Sequence, residues 1–132
     1  MILLDTHVWI WWVHGEPELT TECRDLLQAH ESDGLGLSVI SCWEIAKLVQ
    51  RKRLILSVQL EQWVDQALAY PGIQVLDLTP RVAVDAVQLP GEFHQDPADQ
   101  IIVATARLHN LPLVTADKLI LKYPHVQTIS AR

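Results

Sequence analysis

The chain has 132 residues, with 10 Lys plus Arg against 16 Asp plus Glu, a formal net charge of −6, and 49% hydrophobic residues. A chain of this length and apolar content predicts one domain, residues 1–132, that buries about two-thirds of its unfolded surface. These values exclude a disordered chain and nucleic-acid coating through bulk positive charge, though not local binding; no apolar run nears the ~18 residues of a membrane-spanning helix.

In chain order, Met1 to Leu4 reads as a short buried strand ending at Asp5. His7 to Val13 reads as a short helix or turn, closed by Gly15 and Pro17. Leu19 to His30 has helical spacing, with Leu19, Cys23, Leu26, Leu27 and His30 on one face. Asp33-Gly34 breaks it. Leu35 to Ile40 is a second strand, Ser41 to about Lys52 a helix, and Val58 to Leu68 another, stopped by Pro71-Gly72. Ile73 to Leu76 is a third strand. Thr79-Pro80 opens a helix with Thr as the N-cap and Pro at the first helical position. Asp96-Pro97 opens the next in the same way, running to about His109. Leu111 to Thr115 is a fourth strand, Asp117 to Tyr123 a last short helix, and Val126 to Ile129 a last strand. This alternation predicts an α/β fold with a central, mainly parallel sheet flanked by helices on both faces.

No secretory signal precedes the first strand. Cys23 and Cys42 cannot make a four-cysteine zinc site, and they read as reduced core thiols of a cytoplasmic protein.

Four acids fall just beyond strand ends or near helix starts. Asp5 follows the first strand, and Asp117 comes two residues after the fourth. Glu44 lies in the first turn predicted after the second strand, and Asp99 in the first turn after Pro97. Open parallel sheets build their sites outside the C-terminal ends of strands. Carboxylates brought together repel unless a cation neutralises them, so a convergent set calls for a hard divalent ion on oxygen ligands, Mg²⁺ or Mn²⁺. Capping is the alternative at each position. Ser41-x-x-Glu44 and Asp96-x-x-Asp99 have capping-box spacing, and Asp117 precedes its own helix. Asp5 fits a purely structural role least.

The segments Met1-Ile-Leu-Leu-Asp5-Thr6-His7, Leu37-Ser-Val-Ile-Ser41-Cys-Trp-Glu44-Ile-Ala, His94-Gln-Asp96-Pro-Ala-Asp99-Gln-Ile-Ile-Val-Ala-Thr-Ala and Leu111-Pro-Leu-Val-Thr115-Ala-Asp117 resemble, in order and spacing, the motifs of PIN-domain nucleases. Within that family they are most similar to the VapC-type toxin ribonucleases of bacterial toxin–antitoxin systems. The likeness runs from Met1 to about Ile129. It implies that Asp5, Glu44, Asp99 and Asp117 are the metal-binding and catalytic acids, with the hydroxyls of Thr6 and Thr115 in support. It also implies Mg²⁺- or Mn²⁺-dependent hydrolysis of single-stranded or looped RNA by metal-activated water, a homodimer, and a small antitoxin protein that blocks the cleft. Asp96 is a possible fifth acid whose simpler role is to cap the helix at Pro97.

Lys47, Arg51, Lys52 and Arg53 form the one basic cluster. Lys47 and Arg51 lie three and seven residues beyond Glu44, near its helical face, as candidate RNA contacts. Lys52 and Arg53 suit the helix dipole. Among the histidines, His7 is read as packing and His94 as a loop residue able to meet phosphate. Trp43 is read as core. Of Trp9, Trp11 and Trp12, at least one must face outward, toward a protein partner or, less simply, a base.

Two other functions stay open on the residues alone. A haloacid-dehalogenase-like phosphatase also places an Asp after its first strand, but it needs a second Asp where His7 stands. A non-catalytic binding module would carry the same acids as caps only.

Overall fold

The computed structural model describes residues 1–132. Five parallel strands form its sheet: β1 (Ile2–Leu4), β2 (Leu35–Ser38), β3 (Ile73–Leu76), β4 (Leu113–Thr115) and β5 (Thr128–Ser130), in the order β3-β2-β1-β4-β5. Seven helices connect and flank them: α1 (Thr6–His14), α2 (Thr21–Ala29), α3 (Val39–Gln50), α4 (Leu60–Leu68), α5 (Pro80–Val87), α6 (Pro97–Leu108) and α7 (Lys118–Leu121).

The central strands β1, β2 and β4 are buried throughout, with only Ser38 and Thr115 polar at their carboxyl ends, because both faces are covered. Alternating β1 side chains divide between two cores. Ile2 and Leu4 join Leu35, Leu37 and Val114 against Val8 and Trp9 of α1, Leu27 of α2, Ile45 of α3 and Trp63 of α4. Leu3 points the other way, with Leu113, against Ile102, Val103 and Ala106 of α6 and Ile120 of α7. Each of these fully buried aliphatic side chains contributes on the order of 2 kcal/mol relative to exposure. α5 covers α6 through Val82 and Ala86 against Ala104.

The α/β expectation holds, and most elements fall where predicted. The differences have local causes. β2 ends at Ser38, not Ile40, because the Ser38 hydroxyl caps α3 by accepting from the Ile40 amide at 3.2 Å. The β-branched pair Val39-Ile40 then opens a helix, with packing overriding strand propensity. β4 starts at Leu113. Pro112 has no N–H to give to a ladder, and the Leu111 amide closes the end of α6 on the Ala106 carbonyl at 2.9 Å. At Gly72, φ is +81° and an added Cβ would stand 2.6 Å from the Glu31 carbonyl oxygen, so glycine is required there.

The predicted cap of α5 is present: Thr79 Oγ1 accepts from the Val82 amide at 3.2 Å, with Pro80 at the first position. Thr79→Ala is expected to cost about 1 kcal/mol. That lowers the thermal midpoint by about 3–6 °C in a domain of this size. Calorimetry checks it, and an unchanged midpoint would show that α5 needs no cap.

Candidate active site

The strand order reverses between β1 and β4, since β2 and β3 lie on one side of β1 while β4 and β5 lie on the other. Ligand crevices form outside the carboxyl ends of strands at such a switch point. Asp5 ends β1 there, its amide pinned to the Val114 carbonyl of β4 at 3.0 Å. Thr115 is the last residue of β4, and Asp117 stands two residues beyond. From the sides come Glu44 of α3 and Asp96 and Asp99 at the start of α6. Asp5, Glu44, Asp96, Asp99 and Asp117 line one cleft of 340 Å³, with His7, Trp11, Ala116 and Arg132 completing its wall.

Each acid is held in place. Asp5 is buried. Its Oδ1 accepts from the Thr6 amide at 2.8 Å, and its Oδ2 accepts from the Thr115 hydroxyl at 2.6 Å. The Thr6 hydroxyl donates to Glu44 Oε1. Having spent its one proton there, it accepts from the buried Ser41 hydroxyl at 2.8 Å. Asp99 Oδ2 lies 2.7 Å from His94 Nε2, and the His94 carbonyl accepts from Gln100 Nε2 at 3.1 Å. Asp96 caps α6, its Oδ1 accepting from the Asp99 amide at 3.0 Å. Asp117 caps α7 through Oδ1 alone, which accepts from the Leu119 and Ile120 amides at 2.8 and 3.1 Å. Its own amide donates to Thr115 Oγ1 at 3.0 Å.

The electrostatics follow from burial and crowding. Burial pushes the Asp5 carboxyl above the ordinary carboxylate range, against the pull of its Thr115 and Thr6 hydrogen bonds. Glu44 rises to about 7, mainly through burial, with repulsion from Asp5, Asp99 and Asp96 added and the Thr6 bond opposing. Asp99 rises to about 6 for the same chief reason, with His94 opposing and Asp5, Asp96 and Asp117 adding to the rise. One carboxylate oxygen each from Glu44, Asp96 and Asp99 lie within 4.8 Å of one another. An all-oxygen, partly desolvated and mutually repelling donor set fits a hard divalent cation.

The sequence profile of the PIN domain matches residues 2–126. The chain belongs to the PIN domain family. It is 34% identical over 129 residues to Ribonuclease VapC22 of Mycobacterium tuberculosis, covering 98% of this chain and 96% of that protein. Among solved structures, DNA-bound VapBC from Salmonella typhimurium superposes with a TM-score of 0.74 at 20% identity, each chain covered in full (100%). A toxin–antitoxin complex from Klebsiella pneumoniae gives 0.67 at 23% identity, over 100% of this chain and 98% of that one. At these identities the structural likenesses speak to the PIN fold.

Several side chains of this PIN domain sit differently from the sequence expectation. Ser41 is not the cap of α3, and Ser41-x-x-Glu44 is not a capping box. Ser38 caps the helix, which begins earlier, so Ser41 and Glu44 share an inward face and reach Thr6. Asp96, expected mainly as a cap, does cap α6 and also lines the cleft beside Glu44 and Asp99. Trp43 is not core: it is 51% exposed. His7, expected to pack, is exposed on the cleft wall, its ring centroid 6.1 Å from that of Trp11. None of the early tryptophans is fully exposed: Trp9 is buried, and Trp11 and Trp12 are each half-buried, Trp11 on the cleft wall with the Arg132 guanidinium 5.2 Å from its ring centroid. His94 and Ser41 carry orienting contacts that sequence reading missed. The i,i+3 relation of Ser41 to Glu44 was the available signal, and nothing in the loop Gly91–Gln95 marked the return of His94 to Asp99.

Proposed function

We propose that this chain is a Mg²⁺- or Mn²⁺-dependent endoribonuclease, the toxin of a toxin–antitoxin pair, with Asp5, Glu44, Asp99 and Asp117 as its metal-binding and catalytic acids. The observation that carries the reading is the arrival of these acids, from α3, the start of α6 and the ends of β1 and β4, in one cleft. The 34% identity to a named ribonuclease along nearly the whole chain supports the same activity.

A divalent ion held by these four carboxylates, with Asp96 at the rim, would neutralise their repulsion, lower the pKa of a water and stabilise charge on a phosphodiester. The chain's own residues prepare that site. Thr115 and the Thr6 amide fix both oxygens of Asp5, so its carboxylate enters the cleft in one orientation. Thr6, itself held by Ser41, sets Glu44. Burial and its acidic neighbours raise the Glu44 carboxyl to about 7, so a proton and a cation would compete for it near neutral pH. His94 aims Asp99.

The remaining parts of the reading have narrower support. The similar structure from Klebsiella pneumoniae is a toxin–antitoxin complex, which supports a small antitoxin partner here. A homodimer and a one-domain chain are part of the same proposal. The two free thiols, Cys23 and Cys42, fit action in a reducing cytoplasm. No helix is long and apolar enough to cross a membrane. His7 in place of a second Asp, together with PIN family membership, sets aside the phosphatase reading.

The test is cleavage of RNA by purified, metal-stripped protein. Mg²⁺ or Mn²⁺ is expected to restore cleavage that EDTA suppresses, with a calorimetric binding isotherm for Mn²⁺ on the same sample. Folded protein that neither binds Mn²⁺ nor cleaves would favour a non-catalytic binding module.

A further inference from the structure

Every acid of the cleft except Asp99 takes its orientation from a helix or a strand. Asp5 and Glu44 are held by Thr6 and Thr115, and Asp96 and Asp117 by amides of the helices they cap. Asp99 is held by His94, which lies in the stretch Gln88–Asp96, where the chain forms neither helix nor strand. Lys47 and Arg51 line an adjoining hollow with Glu44 and Asp96, and His94 is the side chain that partners Asp99. A donor orients a carboxylate only as well as it is itself held, and a loop holds less firmly than a helix or strand.

A column of aromatic rings stands behind His94. Its ring lies against Phe93, centroids 4.3 Å apart and planes inclined by 33°. Phe93 meets Tyr123 edge-on at 4.8 Å. Tyr123 is buried among Ile102, Val103, Leu113 and Ile120, and its hydroxyl donates to the Pro90 carbonyl, early in the loop. Gln100 Nε2 of α6 donates to the His94 carbonyl at 3.1 Å. Burial accounts for the rings of Phe93 and Tyr123. It does not account for a half-buried imidazole whose polar edge is turned onto an acid.

We propose that Phe93 and Tyr123 are positioning residues for the acid cleft: acting through His94, they fix the Asp99 carboxylate and so set how tightly the cleft holds a divalent cation. This rests on the metal-dependent ribonuclease reading and adds to it two residues that lie outside the cleft. An ionised carboxylate only accepts, so His94 donates from Nε2 and occupies Oδ2, which leaves Oδ1 for a cation. The face of Phe93 keeps the imidazole from turning, so Nε2 keeps its direction. A Lys or Arg in the place of His94 would carry a fixed positive charge against the incoming cation; a neutral imidazole orients the acid without that competition. The column also joins two of the acids. Asp117 caps the start of α7, and Tyr123 follows its end, so one short element carries Asp117 and steadies Asp99.

The test reads metal binding first and cleavage second. Mn²⁺ is titrated calorimetrically into metal-stripped protein. His94→Ala is expected to weaken Mn²⁺ binding about 10- to 100-fold. His94→Gln, whose amide nitrogen can stand where Nε2 does, is expected to recover most of that loss. Phe93→Leu keeps the apolar bulk and removes the stacking face, and is expected to cost about tenfold. Tyr123→Phe keeps the ring and removes the bond to Pro90, for a smaller loss in the same direction. Affinity for a dye-labelled RNA oligonucleotide in EDTA is expected to stay at the wild-type value in each variant. Cleavage at limiting Mn²⁺ should fall in step with Mn²⁺ affinity while KM for RNA holds. Thermal midpoints in EDTA separate lost folding from lost affinity, and Phe93→Leu carries the comparison if His94→Ala is unstable. Folded His94→Ala that binds Mn²⁺ like wild type overturns the proposal, and so does wild-type affinity in both Phe93→Leu and Tyr123→Phe. Weakened RNA binding in EDTA with Mn²⁺ affinity intact also overturns it, and makes His94 a phosphate contact. Mn²⁺ affinity that follows the column, without RNA cleavage by the wild type, upholds the positioning and removes the ribonuclease reading. A wild type that binds no Mn²⁺ removes both.

Discussion

Asp5→Asn is expected to reduce metal-dependent RNA cleavage by about a thousandfold, which corresponds to roughly 4 kcal/mol of lost transition-state stabilisation. The fold should survive. Asn has the shape of Asp, its carbonyl oxygen can keep the Thr6 amide bond, and its NH₂ can donate to Thr115 Oγ1 in place of the bond Asp5 now accepts. What disappears is one negative charge at the centre of the acid set. That charge is costly to bury, because the Asp5 carboxyl is already pushed toward its neutral form, so removing it should leave the metal-free protein at least as stable as before. Cleavage and Mn²⁺ affinity should fall together while the thermal midpoint holds or rises. Cleavage at the wild-type rate by folded Asp5→Asn would place the chemistry elsewhere. A lower midpoint with metal binding intact would make Asp5 a structural cap of α1.

Why Asp5 was legible from sequence, and other residues were not, is a matter of which signal each leaves. Asp5 interrupts an apolar run at a strand end, and the end of that run locates it. Asp99 and Asp117 follow recognisable helix openings, Asp96-Pro97 and the turn after Leu113–Thr115, so their places along the chain were fixed by local chemistry. That local chemistry could not say whether they cap or line a cleft. Asp117 does both, using one oxygen for the amides of α7.

The misreadings concern contacts between segments far apart in the chain. Val39-Ile40 has strand propensity, so the sequence predicts α3 from Ser41, two residues late, with Ser41 as a candidate cap. In the fold the hydroxyl of Ser41 is used 35 residues away, on Thr6. The size of Trp43 predicts a core residue, but on α3 the buried inward positions are Ser41 and Ile45. Helical spacing places Trp43 two residues from each, on a different face. The two-sided sheet, by contrast, is written into the apolar runs Ile2–Leu4 of β1 and Leu113-Val114 of β4, which have no polar alternation.

Raising the pH from 5 to 8 is expected to destabilise the metal-free protein, the reverse of the usual behaviour of carboxylates. An acid whose pKa is raised by folding binds more protons in the native state than in the unfolded chain between the two values, so stability declines as pH climbs through that window. Glu44 moves from 4.5 to about 7 and Asp99 from 3.8 to about 6, with Asp5 shifted in the same direction. The loss therefore runs from about pH 4 to 7. Glu44 and Asp99 are each only half-buried, and solvent screening leaves about 2 kcal/mol in total, or about 5–10 °C in midpoint. Asp33, held low by its His30 hydrogen bond, opposes this, but it lies on the surface and its window is below pH 4. A divalent cation should invert the trend, because it binds the ionised carboxylates. At a hundredfold excess over its dissociation constant it adds about 2.7 kcal/mol, and more of that gain is realised as pH rises and the competing protons leave. Scanning calorimetry at pH 5 and 8, in EDTA and in Mn²⁺, reads all four corners. A metal-free midpoint that rises between pH 5 and 8, or one that Mn²⁺ leaves unmoved at pH 8, would mean that these carboxylates are already neutralised by partners within the fold and have no need of a cation.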